Sequence, residues 1–392
     1  MARNGQKIFD TDTHVGPSMD LLEKYMSAED KARLEPLSAY RVAVTKPTNA
    51  IVYQMGGRQY RRKLGTDGVT AAPAVTSTLN TSTSGLTESF KGQAPNPDVD
   101  LDPAFRIADL DVEGVDVNLM LPGGWLGSFT SIPDVALETA VFSAFHRWMN
   151  DYCSAYPDRL GGVVALSCRD VEWSLRELER CGKERWAWGV LPYAPAGMPL
   201  DHPDLEPLWA AAQDLDLSVC LHTFTTYPPY APGGQDTWDN IWIQRSAAHV
   251  WCGERNMAAL IGAGLFDRYP TLRIGVLEGG HGWLPQWALR LDEQAERSRT
   301  MLPDLKLKPS EYVQSGRYFQ SMEISEGWPM TKAVVDLVGD GILMYASDYP
   351  HGESWFPRSV ETVMDWKMPA TLADKVFWEN PIRFYPRAGY DS

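Results

Sequence analysis

Seven side chains at four places in this sequence could together hold metal: Asp12 and His14 in "DTDTHV", His222 in "LHTF", Glu278 and His281 in "LEGGHGW", and Asp348 and His351 in "SDYPHGE". The set mixes hard carboxylates with imidazoles and contains no thiolate, which suits iron, manganese or zinc. A lone histidine or aspartate most often satisfies a local hydrogen bond. Several of them converging on one pocket would repel one another or change protonation state unless a cation compensated them. The chain has seven histidines, and four fall in these motifs. Of the others, His146 sits in an aromatic-rich helical stretch and reads as structural, and His202 in "DHPD" reads as a surface turn. His249 in "AAHVW" stands above the fifth strand, from which the same pocket is within reach. Asp10 reads as an acceptor supporting the ligands.

Convergence requires a scaffold. Eight short β-rich apolar runs alternate with helical stretches: "KIFDTDTHV", "VDVNLMLPG", "LGGVVALS", "WAWGVLPYA", "LSVCLHTF", "LRIGVLEGG", "RYFQSMEI" and "GILMYASDY". Repeated β-α units predict a parallel sheet, and strands apolar enough to be buried on both faces predict an α/β fold of the distorted (β/α)8 TIM barrel type. An open doubly wound sheet is the competing arrangement, but no G-x-G-x-x-G follows the first run. In a barrel, reactive groups stand at the C-terminal strand ends. Asp10, Asp12 and His14 alternate along the first strand and so share one face. His222 ends the fifth strand, Glu278 the sixth and Asp348 the eighth.

Residues 1–392 read as one barrel domain with an insertion, 40–103, after the first strand. It contains a hairpin candidate, "AIVYQMGGRQYRRKLG", and a Thr/Ser-rich tract, and is expected to be a lid or subunit-contact element. After the fifth strand, "TTYPPYAPGGQDTWDNIW" is expected to cover the same face. Trp238, Trp242, Trp283 and Trp355 are candidate walls of a substrate pocket, and the chain's fifteen tryptophans favour such walls. Arg245, Tyr230 and Tyr349 are candidates for gripping a substrate carboxylate.

Thirty-six basic against fifty-one acidic residues give a formal charge of −15, which disfavours nucleic acid and anionic membranes as partners. No apolar run approaches the ~20 residues that span a bilayer, and the start of the chain has no signal-like apolar stretch, so a cytoplasmic enzyme is expected. The five cysteines form no C-x-x-C pair and are expected to be reduced and buried.

"DTDTHV", "LHTF", "LEGGHGWLP", "SDYPHGE" and the terminal "FWENPIRFY" resemble the amidohydrolase superfamily, in the amidohydrolase-related branch of aminocarboxymuconate-semialdehyde decarboxylase. The resemblance implies the barrel and a metal site at Asp12, His14, His222, His281 and Asp348. The fourth strand, ending "GVLPYAP", offers neither the lysine nor the glutamate that bridges two metals in dinuclear hydrolases of that superfamily. The D-x-D-x-H start with the "SDYPH" end also resembles dinuclear iron or iron–manganese oxygenases such as the 2-aminoisobutyric acid hydroxylase system.

Seven donors exceed the three a single catalytic zinc takes from protein. Two mechanisms follow. In the first, two ions (Fe, Mn) bind dioxygen and hydroxylate an unactivated C–H bond of a small carboxylic or amino acid. In the second, one Zn or Mn supports hydrolysis or non-oxidative decarboxylation, with His351, His281 and Glu278 as catalytic groups. The donor surplus favours the first. A metal-binding subunit that assists a catalytic partner is a third reading, and a homo- or hetero-oligomer with a related subunit is expected.

Overall fold

The computed structural model describes residues 5–44, 49–53, 55, 95–195, 197–222, 241–352 and 354–390, with backbone alone for 241–245. Eight parallel strands form the sheet: β1 (Phe9–Val15), β4 (Val117–Pro122), β5 (Leu160–Ser167), β6 (Ala187–Tyr193), β7 (Ser218–His222), β8 (Ile274–Leu277), β9 (Tyr318–Met322) and β10 (Leu343–Tyr345), in that spatial order. β2 (Arg41–Val44) and β3 (Ala50–Tyr53) form a separate antiparallel pair. Each barrel run is apolar and short, and every strand residue is buried, as expected where helices cover the outside and side chains fill the inside.

Closure occurs between the ends of β1 and β10. His14 N–H donates to the Tyr349 carbonyl at 2.7 Å, and Asp348 N–H donates to the Asp12 carbonyl at 3.1 Å. The register of β1 on β4 shifts between Asp10 and Thr13. Such an irregularity re-aims side chains at a barrel rim, and here it falls at Asp12.

The expected helices are present on the connections, including Pro103–Glu113, Val135–Ser154, Val171–Cys181 and Leu284–Arg297. Asp102, Asp134 and Asp170 cap the first three by accepting from the backbone N–H of Ala104, Leu137 and Trp173. Two expectations shift. The hairpin after β1 pairs Arg41–Val44 with Ala50–Tyr53, earlier than the sequence pattern placed it, and the expected second arm lies outside the described residues. The helix after β7 spans Ile241–Gly262, so it takes in the end of the Pro/Gly-rich stretch that was expected to be loop.

Candidate metal centre

The alternation of β1 brings Asp12 and His14 to the barrel mouth, both almost fully buried. His222, the last residue of β7, pairs in register with Leu277 of β8, so the chain's next step places Glu278 beside it. His222 Nε2 lies 2.8 Å from Glu278 Oε2 and 3.7 Å from Asp12 Oδ1. His14 Nε2 lies 3.1 Å from Asp348 Oδ1, 3.3 Å from Glu278 Oε2 and 3.6 Å from Asp12 Oδ1. The His14 and His222 rings meet edge to face at 4.9 Å, and His351 stacks on His14 at 4.0 Å. His351 Nδ1 is 2.6 Å from Asp348 Oδ1. Ligand-capable atoms of His14, Glu278, Asp348 and His351 thus lie within 4.8 Å of one another, as do those of Asp12, His14 and His222.

The backbone is shaped for this. Glu278 and Asp348, at φ +49° and +59°, are two of only four non-glycine residues in the left-handed region among the described residues. That conformation is unfavourable for an L side chain and persists where surrounding structure enforces it, characteristically at functional sites. It turns each chain sharply at its strand end and aims the carboxylate inward.

The donors fit a divalent cation. Burial, then the neighbouring Glu278 and Asp348, push the Asp12 carboxyl well above the ordinary carboxylate range. Burial alone would raise Glu278 too, but the imidazoles of His222, His14 and His249 hold it well below that range. Burial lowers His222. Asp12 Oδ1 and both ring nitrogens of His14 are buried without a hydrogen bond of acceptable geometry, which leaves them suited to a metal. Two imidazoles with three carboxylates form an oxygen-rich set appropriate to manganese or zinc.

Six of the seven expected donors therefore meet at the mouth. His281 does not. Its Nδ1 accepts from Glu323 N–H at 3.2 Å and its Nε2 lies 3.0 Å from the Thr331 hydroxyl, so both ring nitrogens are committed in a fully buried position. The left-handed turn at Glu278, followed by Gly280 at φ +69°, carries the chain away from the mouth before His281 is reached. The expectation of His281 as ligand or base is corrected accordingly.

Asp10 has the supporting role expected, accepting from Ser347 N–H at 3.0 Å and from the Ser347 hydroxyl at 2.5 Å. His146 is structural: Nδ1 meets Glu177 at 2.7 Å and Nε2 accepts from Ala165 N–H at 2.9 Å. Trp283 donates its indole N–H to the Gly279 and Gly280 carbonyls, which makes it a staple of the turn after Glu278. Trp355 is half-buried against the core. Trp238 and the side chain of Trp242 lie outside the described residues, as do Tyr230, the side chain of Arg245 and residues 56–94 of the insertion.

Two residues join the site that the candidate ligand set did not include. His249 Nδ1 stands 3.8 Å from Glu278 Oε1. Glu323, just past β9, adds a negative charge that Asp12 feels. Its signal was available in "YFQSMEI", where an acid ends the seventh barrel strand.

The amidohydrolase family pattern matches residues 97–387. The chain belongs to the amidohydrolase family. Within it, gamma-resorcylate decarboxylase from Polaromonas sp. strain JS666 is 28% identical over 310 residues, covering 72% of this chain and 90% of that protein. The structure of 5-carboxyvanillate decarboxylase from Novosphingobium aromaticivorans, complexed with manganese and 4-hydroxy-3-methoxy-5-nitrobenzoic acid, superposes with a TM-score of 0.67 at 20% identity, covering 98% of this chain and 97% of that one. Dihydroxybenzoic acid decarboxylase from Polaromonas sp. JS666, with bound manganese and 2-nitroresorcinol, gives 0.60 at 15%, covering 98% and 100%. At these identities the two structures establish the shared barrel.

The expectation of dioxygen-dependent C–H hydroxylation at a dinuclear iron–manganese centre is overturned by these relatives, which are decarboxylases. Its physical basis weakens as well. The donor surplus that favoured two ions counted His281, whose ring is spent on the fold. No helix among the described residues is long and apolar enough to cross a membrane.

Proposed function

We propose that this chain is a metal-dependent, non-oxidative decarboxylase of an aromatic carboxylic acid, using a single divalent ion of the manganese or zinc type. The observation that carries the proposal is the cluster at the barrel mouth that joins buried Asp12, His14 and His222 to the partly buried Glu278 and Asp348, in a chain similar to gamma-resorcylate decarboxylase over most of that protein. In this reading Asp12, His14, His222 and Asp348 hold the ion, and Glu278 closes the set between the two imidazoles. A divalent ion there would act as a Lewis acid toward the substrate carboxylate and fix the ring's orientation.

The remaining chemistry belongs to the chain. The bond between ring carbon and carboxylate breaks, its electron pair stays on the ring carbon, that carbon gains one proton, and carbon dioxide leaves. No electron acceptor is consumed. A proton source must therefore exchange with water. The His14 and His222 side chains are 3% and 2% exposed, whereas His351 is 30% exposed. We assign His351 as the acid. Asp348, accepting from Nδ1, would orient the ring and leave Nε2 to deliver the proton.

The test is carbon dioxide release from 2,6-dihydroxybenzoate, 5-carboxyvanillate and related hydroxybenzoates by manganese-loaded protein under argon. Turnover that is independent of oxygen and abolished by chelation is expected. Hydroxylated products appearing only in air would sink the proposal.

A further inference from the structure

We infer that Arg106 is a positioning residue of the metal centre, holding together the two chain segments that carry His14 and Asp348. The inference rests on the metal-site part of the proposal above and not on the reaction assigned to it.

Arg106 lies on the helix Pro103–Glu113, whose Phe105 and Val112 face solvent, yet its own side chain is fully buried. Its Nη2 donates to the His14 carbonyl at 2.6 Å and to Asp100 Oδ1 at 3.2 Å, and its Nη1 donates to Asn118 Oδ1 at 3.3 Å. The other Asp100 oxygen accepts from Gly16 N–H at 2.9 Å. One buried ion pair thus grips the end of β1 at two backbone atoms that flank Val15.

The same guanidinium lies 5.1 Å from the centroid of the Tyr349 ring. Tyr349 follows Asp348 directly, and its carbonyl receives the His14 N–H. Its hydroxyl donates to Asp109 Oδ2 at 2.6 Å, one turn further along the helix that carries Arg106. The peptide of His14 is therefore held on both sides, its carbonyl by Arg106 and its N–H by the residue after Asp348. This is the junction where the barrel closes.

Burying a guanidinium is costly before its partners compensate, and apolar filling of the same volume is often as stable. A charge at this position has a geometric use that filling lacks: its fixed planar fork defines where the His14 carbonyl and Asp100 stand relative to each other. Partners of this kind, one step behind the ligands, commonly change metal affinity about 10- to 100-fold when altered.

Arg106→Lys keeps the charge and loses the fork. Manganese affinity is measured by competition with a chelating indicator, and the ion's geometry by electron paramagnetic resonance of the saturated protein. Arg169→Lys is the control, because Arg169 is also tied at the mouth, to Glu138 and to the Ile132 and Phe129 carbonyls, but touches neither ligand segment. The expected result is a roughly 10- to 100-fold loss of affinity and an altered zero-field splitting for Arg106→Lys alone. Unchanged affinity and spectrum in Arg106→Lys, or equal changes in both variants, would overturn the inference. If Arg106→Lys does not fold, Asp100→Asn serves, since it removes the opposing charge while retaining an acceptor for Gly16; wild-type manganese binding in that variant would equally overturn it. Absence of manganese binding by the wild-type chain removes the metal site itself, an outcome distinct from a bound ion indifferent to Arg106.

Discussion

His14 Nε2 and Asp348 Oδ1 stand 3.1 Å apart although 334 positions separate them in sequence, because the barrel closes through the backbone beside them. Asp348→Asn preserves size and the left-handed backbone but replaces an anionic ligand by a neutral amide. It is expected to lower manganese affinity by at least about tenfold and to abolish carbon dioxide release, with little change in melting temperature. Isothermal titration with manganese checks this; wild-type affinity would remove Asp348 from the ligand set.

The strand ends carried most of this site in readable form. Residues alternating along an apolar run must share a face, so D-x-D-x-H at the end of β1 announced a mouth-facing acid and imidazole, and His222 and Asp348 followed from their place at the C-terminal ends of strands. What did not follow were the consequences of backbone turns. Nothing in "LEGGHGW" tells that Glu278 takes a left-handed conformation, and that turn sends His281 beneath the loop instead of into the mouth. His249 was difficult for a related reason. A Pro/Gly-rich stretch suggests loop, whereas the helix starts at Ile241 and so fixes where His249 falls. Charge balance, too, can be counted from sequence only after the participants are known.

His281→Ala separates these two cases. With Nδ1 bound to Glu323 N–H and Nε2 beside Thr331, the ring is part of the fold. Removing it leaves a cavity and takes the acceptor from the Glu323 N–H, at a cost of about 2–4 kcal/mol. The expected outcome is a lowered denaturant midpoint with one manganese still bound per chain. Loss of the ion with unchanged stability would restore His281 as a ligand.

Asp10 gives the fold a pH dependence of defined sign. Burial pushes its carboxyl from 3.8 up to about 7, against the opposing hydrogen bonds from Ser347. Between those values the folded chain holds a proton that the unfolded chain has released, so stability falls as pH rises through the window and reaches its full loss above about 7. The loss is on the order of 4 kcal/mol. Asp10→Asn cannot titrate. In metal-free protein, melting curves from pH 4.5 to 8 should show the wild type losing stability relative to this variant as pH increases; parallel curves would mean that Asp10 is ionised throughout.

His351 decides whether the proton source has been found. It stacks on His14 and is hydrogen-bonded to Asp348, yet it is the most exposed member of the cluster. His351→Asn retains a polar group of similar size but cannot carry a proton through the cycle. Loss of a general acid typically costs about 10²- to 10⁴-fold in rate, and that fall should appear in kcat with KM little changed. Manganese stoichiometry should stay at the wild-type value, because the ligands assigned to the ion are Asp12, His14, His222 and Asp348. The acidic and basic limbs of the rate profile supply the second check: the limb set by the imidazole should vanish in the variant. A variant that loses its metal together with its rate would make His351 a ligand, and the acid would then have to be sought at His249, a further imidazole beside Glu278.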